Sequence, residues 1–146
     1  MVELLPSLDF WGEQFSPKKA EAVTGLALSR KNEPGDIGDT GRYRGQPIPY
    51  GAASLETPET IGVSRRLTWL LECVAPHVET LRRLGAELVR LHVEVRYQGQ
   101  CNLEFSPGEV AGIAALRVAF TISCWDCTEE GGSSAEPGAA ADRPRD

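Results

Sequence analysis

From Leu88 to Tyr97 apolar and polar residues alternate without a break. Val89, Leu91, Val93, Val95 and Tyr97 share one parity, and Arg90, His92, Glu94 and Arg96 share the other. A period of two is that of a strand with one face buried. The chain opens on a similar pattern, with Val2, Leu4, Leu8 and Phe10 on one parity. Pro6 falls inside that stretch and points to an edge position or a bulge, because proline brings no N–H to a ladder. Val118, Phe120, Ile122 and Cys124 alternate again within residues 117–125, and 48–57 ("IPYGAASLET") reads as a further strand. After the turn "QGQ", Cys101, Leu103 and Phe105 continue the apolar face as the second strand of a hairpin.

The period changes between Ser64 and Leu84. Leu67, Leu70, Leu71, Val74, Val78 and Leu81 follow helical spacing, Ser64 is placed to cap the start, and Gly85 follows the end. Pro76 lies inside this helix and predicts a kink, since it removes the bond to the Glu72 carbonyl. Two shorter helices begin with the same phrase. "FSPKKAEAVTGL" runs from Phe15 and "FSPGEVAGIAAL" from Phe105. In each the serine suits the N-cap and the proline the first helical position. The repeat reads as two similar strand-to-helix corners, through duplication or through the general preference for Ser-Pro at helix starts.

The predicted order is β-α-β-α-β-β-α-β. The fold class is α+β: an antiparallel-rich sheet of about five strands with the helices packed on one face. Residues 28–47 ("LSRKNEPGDIGDTGRYRGQP") read as a long exposed loop by composition. Residues 1–128 form the single domain. Residues 129–146 read as a disordered acidic Gly/Ala/Pro-rich tail, with no bulky apolar residue to offset the entropy of ordering.

In this order of elements the chain resembles a bacterial family catalogued as domain of unknown function 4279. The resemblance is carried by "FSP" before a short helix ending "TGL", by "ASLET", by the proline-broken helix "LLECVAPHVETLRRLG", and by "LHVEVRYQGQCNLEFSPGEVAGIAALRVAFTIS". It covers about residues 4–124. A tryptophan is expected just before "ASLET", where this chain has Tyr50-Gly51. The resemblance implies a small bacterial α+β domain of accessory or immunity type and carries no activity.

Composition narrows the rest. The net charge is −6; five acids and two arginines place −3 of it in the tail, leaving −3 on the body. That balance speaks against nucleic acid as a partner. No apolar run reaches the length of about 20 residues that a membrane span needs, and the N-terminus lacks the pattern of a signal peptide. The expected location is cytoplasmic, with no membrane partner. Cys73, Cys101, Cys124 and Cys127 then read as reduced thiols.

Chemistry-bearing motifs are few. The chain contains no G-x-S-x-G, no phosphate-binding Walker loop and no H-E-x-x-H, so no catalytic residue, cofactor or enzymatic activity is expected. Arg90, His92, Glu94 and Arg96, extended by Trp125, form a polar stripe that could grip a carboxylate or an acidic protein surface. The same stripe is what any solvated sheet face looks like. Arg42 and Arg44 in the long loop would add to a contact surface. Cys124 and Cys127 form one C-x-x-C, which is half of a zinc site. The leading expectation is a non-enzymatic protein-binding module acting through the outer sheet face and the long loop, and the alternative is a metal- or small-ligand-binding protein using Cys124 and Cys127.

Overall fold

The structure, a computed structural model, describes residues 1–128; the expected tail lies outside the described residues. Its strands are β1 (Val2–Gly12), β2 (Ser29–Asn32), β3 (Gly51–Glu56), β4 (Leu88–Tyr97) and β5 (Ala119–Asp126). Its helices are α1 (Pro17–Thr24), α2 (Arg66–Val74), α3 (Val78–Arg83) and α4 (Pro107–Leu116). The strands form one sheet in the order β2-β3-β1-β4-β5. All neighbours are antiparallel except β4 and β5, which run parallel and are joined through α4. The expected α+β class and strand number hold.

Two elements differ from expectation. Residues 101–105 form no strand, so β4 is not half of a hairpin. Phe105 instead turns its ring edge-on to Phe120, with centroids 6.1 Å apart, and the chain crosses over to a parallel strand. Conversely, the segment expected to be loop contains β2. That strand is polar ("SRKN") and pairs with β3 with a bulge between Ser29 and Asn32, and Ser29 Oγ adds bonds to the Ser54 carbonyl and to Glu56. A side-chain pattern could not announce it. Arg30 takes the left-handed conformation (φ 46°) inside this bulge.

Both "FSP" phrases start helices as expected. Ser16 Oγ accepts from the Lys19 amide at 3.2 Å, and Ser106 forms a complete capping box with Glu109. Gly25 closes α1 in the left-handed conformation. Neither phrase directly follows a strand end, however: β1 has already stopped at Gly12, and no strand precedes Phe105. The long helix is interrupted as its proline predicts, with a 3-10 turn over Ala75–His77 separating α2 from α3. Ser64 does not cap it; the residue at that position is Arg65, without a side-chain bond.

β1 is the central strand, so Pro6 is not at an edge of the sheet. The ladder with β3 covers only Ser7–Gly12, while the ladder with β4 continues back to Val2. Pro6 lies one residue beyond the β3 ladder, and its carbonyl is approached by Thr57 Oγ1 at 3.4 Å. In an antiparallel strand N–H and C=O of one residue point the same way. The missing donor therefore faces the side where β1 has no strand neighbour.

The core lies between one face of the sheet and the helices. Leu8, Phe10, Leu91, Val93 and Val95 from the strands meet Leu67, Leu70, Val74 and Leu81 from α2 and α3, with Phe15 and Ala20 at the α1 corner. Full burial of such side chains contributes about 1.5–3 kcal/mol each. Two close approaches lock the corners. A Cβ on Gly12 would lie 1.9 Å from the Gly85 carbonyl oxygen, and one on Gly51 would lie 1.6 Å from that of Phe15. Among the described residues, no helix is long and apolar enough to cross a membrane.

Candidate functional site

The face of the sheet turned away from the core is formed by the opposite parity of each strand. Register places Glu3 beside Arg96, Leu5 beside Glu94, Ser7 beside His92, Asp9 beside Arg90 and Trp11 beside Leu88. Parallel pairing extends these rows across β5: Thr121 stands beside His92, Ser123 beside Glu94 and Trp125 beside Arg96. The expected stripe Arg90, His92, Glu94, Arg96 and its extension to Trp125 are thus brought together on one uncovered face. Trp125 is 61% exposed.

The arginines of this face each meet a carboxylate within it, although Arg90 Nε is buried without a hydrogen-bond partner among the described residues. Arg90 Nη2 lies 3.4 Å from Asp9 Oδ2, whose other oxygen accepts from Ser54 Oγ at 2.8 Å. Arg96 Nε donates to Glu94 Oε1 at 2.7 Å, and that bond raises the Arg96 pKa above its already high value. Arg66 Nη1 donates to Glu3 at 2.8 Å, and Arg30 donates to Glu56. Six residues of strand separate Arg90 from Arg96 by about 20 Å. The two therefore cannot close on one carboxylate, and the face is a mosaic of ion pairs.

Two depressions cross this face. One, of about 850 Å³, is lined by charged and polar groups that include Glu3, Asp9, Glu56, His92, Glu94 and Arg96. The other, of about 660 Å³, adjoins it through Asp9 and Arg30 and is apolar, with Trp11, Tyr50, Ala52 and Leu88 in its lining. The small side chains of β3 leave room beside the rings here. Trp11 and Tyr50 have centroids 5.3 Å apart, Tyr43 meets Tyr50 edge-on at 5.9 Å, and Arg42 sits over the Tyr43 ring at 5.6 Å. The 28–47 segment thus reaches the sheet face through Tyr43 and carries Arg42 with it. Arg44 is held by its backbone at the Gly38 bridge, and its side chain is exposed.

Sequence reasoning missed Asp9, Trp11, Tyr43 and Tyr50. Trp11 was within reach: ending the first strand two residues later puts it on the outward parity with Glu3, Ser7 and Asp9. Tyr50 shares the parity of Ala52 and Ser54 in the expected 48–57 strand. Tyr43 had no such signal, because its placement depends on the fold of a segment without periodicity.

His92 Nδ1 and Thr121 Oγ1 are 2.8 Å apart. This is a base beside a hydroxyl, yet among the described residues no acid bonds the other ring nitrogen to orient it, as a catalytic triad requires. Cys124 lies on the helix side of β5 and Cys127 beyond the strand end, where its amide donates to the Tyr97 carbonyl at 2.8 Å. The side-chain neighbour of Cys124 is Cys101, whose thiol is pushed up first by burial and then by Cys124. Among the described residues, no three His, Cys, Asp or Glu side chains converge on a metal position.

No family model matches the chain, nor does any curated protein or solved structure.

Proposed function

We propose that the chain is a non-enzymatic protein-binding module whose contact surface is the outer sheet face together with the 28–47 segment. The observation that carries this reading is the distribution of anchors on that face. Trp11, Tyr50, Tyr43 and Arg42 cluster at one end, Trp125 stands exposed beside Arg96 at the other, and paired charges lie between. Aromatic and arginine anchors around a polar surface are the residue types that dominate protein interfaces. Because the ion pairs are already satisfied, they supply register and specificity, and the rings supply most of the affinity. The resemblance to the family of domain of unknown function 4279 adds the class of partner: a protein that a small bacterial accessory or immunity-type domain covers.

Affinity capture from a lysate of the source organism tests this. The wild-type chain is compared with Tyr43→Ala and with Arg96→Glu, each checked for native circular dichroism. One protein retained stoichiometrically by the wild type, and at least about tenfold more weakly by both variants, supports the reading. A partner held equally by all three places the contact elsewhere and removes it. Retention of nothing by the wild type counts against it as well.

A further inference from the structure

The two edges of the sheet are built in opposite ways. The β2 edge is four residues long, is broken by a bulge, and carries Arg30 and Lys31. Short length, bulges and cations are the devices that keep an edge from pairing with another chain. The β5 edge has none of them. It runs for eight residues in unbroken register with β4, and from Val118 to Trp125 it contains no charged residue and no proline. Among the described residues, no strand pairs with its outer side.

The helix side of β5 is also bare. Phe120 is 37% and Ile122 39% exposed, although their neighbours on β4, Leu91 and Val93, are fully buried. α4 leaves this side open: Leu116 is its only buried residue, and Val110 is 54% exposed. A row of apolar side chains beside a vacant hydrogen-bonding edge has the character of half an interface.

The order of residues identifies the other half. Ala119-Phe120-Thr121-Ile122-Ser123-Cys124-Trp125 has a polarity that reads alike in both directions from Ile122. An antiparallel copy centred on Ile122 sets Phe120 against Cys124 and Ile122 against itself on the helix side. On the outer side it sets Thr121 against Ser123, and the large Trp125 against the small Ala119. These are favourable cross-strand pairs, and each occurs twice about the two-fold axis except the Ile122 pair, which lies on it. Just beyond, Asp126 of one copy falls opposite the uncharged Val118 of the other, so the register brings no acid against an acid. No like charges face each other along the strand, despite the net charge of −6. We propose that two copies pair antiparallel through β5, joining two five-stranded sheets into one of ten strands. Pairing through this edge takes up Trp125, one of the anchors named above, and leaves the Trp11–Tyr50–Tyr43 end and the charged rows of each copy uncovered. The variants at Ile122 lie on the helix side, so the dimer and the binding reading fail separately.

Sedimentation equilibrium of the full chain tests it. The wild type is expected to be dimeric at about 50 μM and to dissociate on dilution below its Kd. Ile122→Lys places two ammonium groups face to face on the axis and should yield monomers, as should Ile122→Glu. An equimolar mixture of these two variants should recover the dimer, because only an interface with residue 122 opposite itself brings lysine to glutamate. Should either variant fail to fold by circular dichroism, Cys124→Lys on the exposed edge takes its place, with a shift in Kd of at least about tenfold expected. A wild type that stays monomeric at about 100 μM, or a dimer that a folded edge variant leaves intact, overturns the proposal.

Discussion

Asp9 holds Arg90 across the β1–β4 ladder, with 3.4 Å between carboxylate and guanidinium. The pair joins the polar depression to the aromatic one, since Asp9 lines both. It is the point at which the two halves of the outer face are coupled.

Replacing one member leaves the other without its ladder partner. Arg90→Glu sets two carboxylates opposite each other and is expected to cost about 1 kcal/mol. The swapped double variant Asp9→Arg, Arg90→Asp should recover part of that loss. Both side chains retain access to water, 29% for Asp9 and 43% for Arg90, so the coupling is screened to about 0.5 kcal/mol. A double-mutant cycle by urea denaturation measures it. Zero coupling would show that the pair is held by the strands and contributes nothing itself.

The glycine contacts at the corners predict larger effects. Gly51→Ala puts a methyl 1.6 Å from the Phe15 carbonyl oxygen, and backbone on both sides must separate to admit it. A loss of more than about 3 kcal/mol, or failure to fold, is expected. Gly25→Ala provides the comparison: its Cβ meets nothing within 4 Å, and only its φ of 73° opposes the change, at about 1 kcal/mol. Thermal unfolding of the two variants side by side decides whether close approach outweighs backbone conformation here.

Glu21 and Lys31 tie α1 to β2 at 2.7 Å. Lys31 lowers the pKa of this carboxyl below its ordinary value. The stabilisation is therefore present above the unfolded value of about 4.3 and is lost as pH falls through the folded one. Lys31→Met should be less stable than the wild type near neutrality, with the gap closing between about pH 4.3 and the lowered value. A gap that persists unchanged below pH 3 or so would assign the loss to packing.

Three of the four thiols should separate by rate. Burial raises Cys73, and burial followed by Cys124 raises Cys101, so both hold less thiolate than an ordinary cysteine. Cys124 is exposed on the edge strand. Titration with a disulfide reagent at pH 8 or so, followed by peptide mass mapping, should label Cys124 ahead of Cys73 and Cys101. Slow labelling of Cys124 in concentrated protein, quickening on dilution, would additionally report the paired edge.

The strands that face the core were legible because burial of one side imposes a period of two; β4 is the clearest case, and β1 needed only two more residues. The long helix and its break followed from leucine spacing and Pro76. β2 was not legible, because Ser-Arg-Lys-Asn carries no apolar alternation, and the bonds of Ser29 and Arg30 to Ser54 and Glu56 exist only once the sheet has brought β3 alongside. The 101–105 segment misled for the opposite reason. Its alternation is real and Phe105 does pack against Phe120, but a turn-like "QGQ" does not guarantee that the chain returns beside the strand it left. At the outer face, charges placed on one parity could be seen in the sequence. Their partners could not, since Asp9, Glu3 and Glu56 come from strands whose register only the folded sheet sets.

The bulge at Arg30 bears on how far assembly can go. A sheet with two open edges can add strands at either side without limit, which is the route to a fibre. Here one edge is barred by a kinked backbone and two cations, and the other is consumed as soon as two copies meet. Growth has nowhere to continue, and the same four residues that barely qualify as a strand act as the stop that keeps association finite. Straightening that segment and removing its charges would turn a self-limiting pair into a polymerising one.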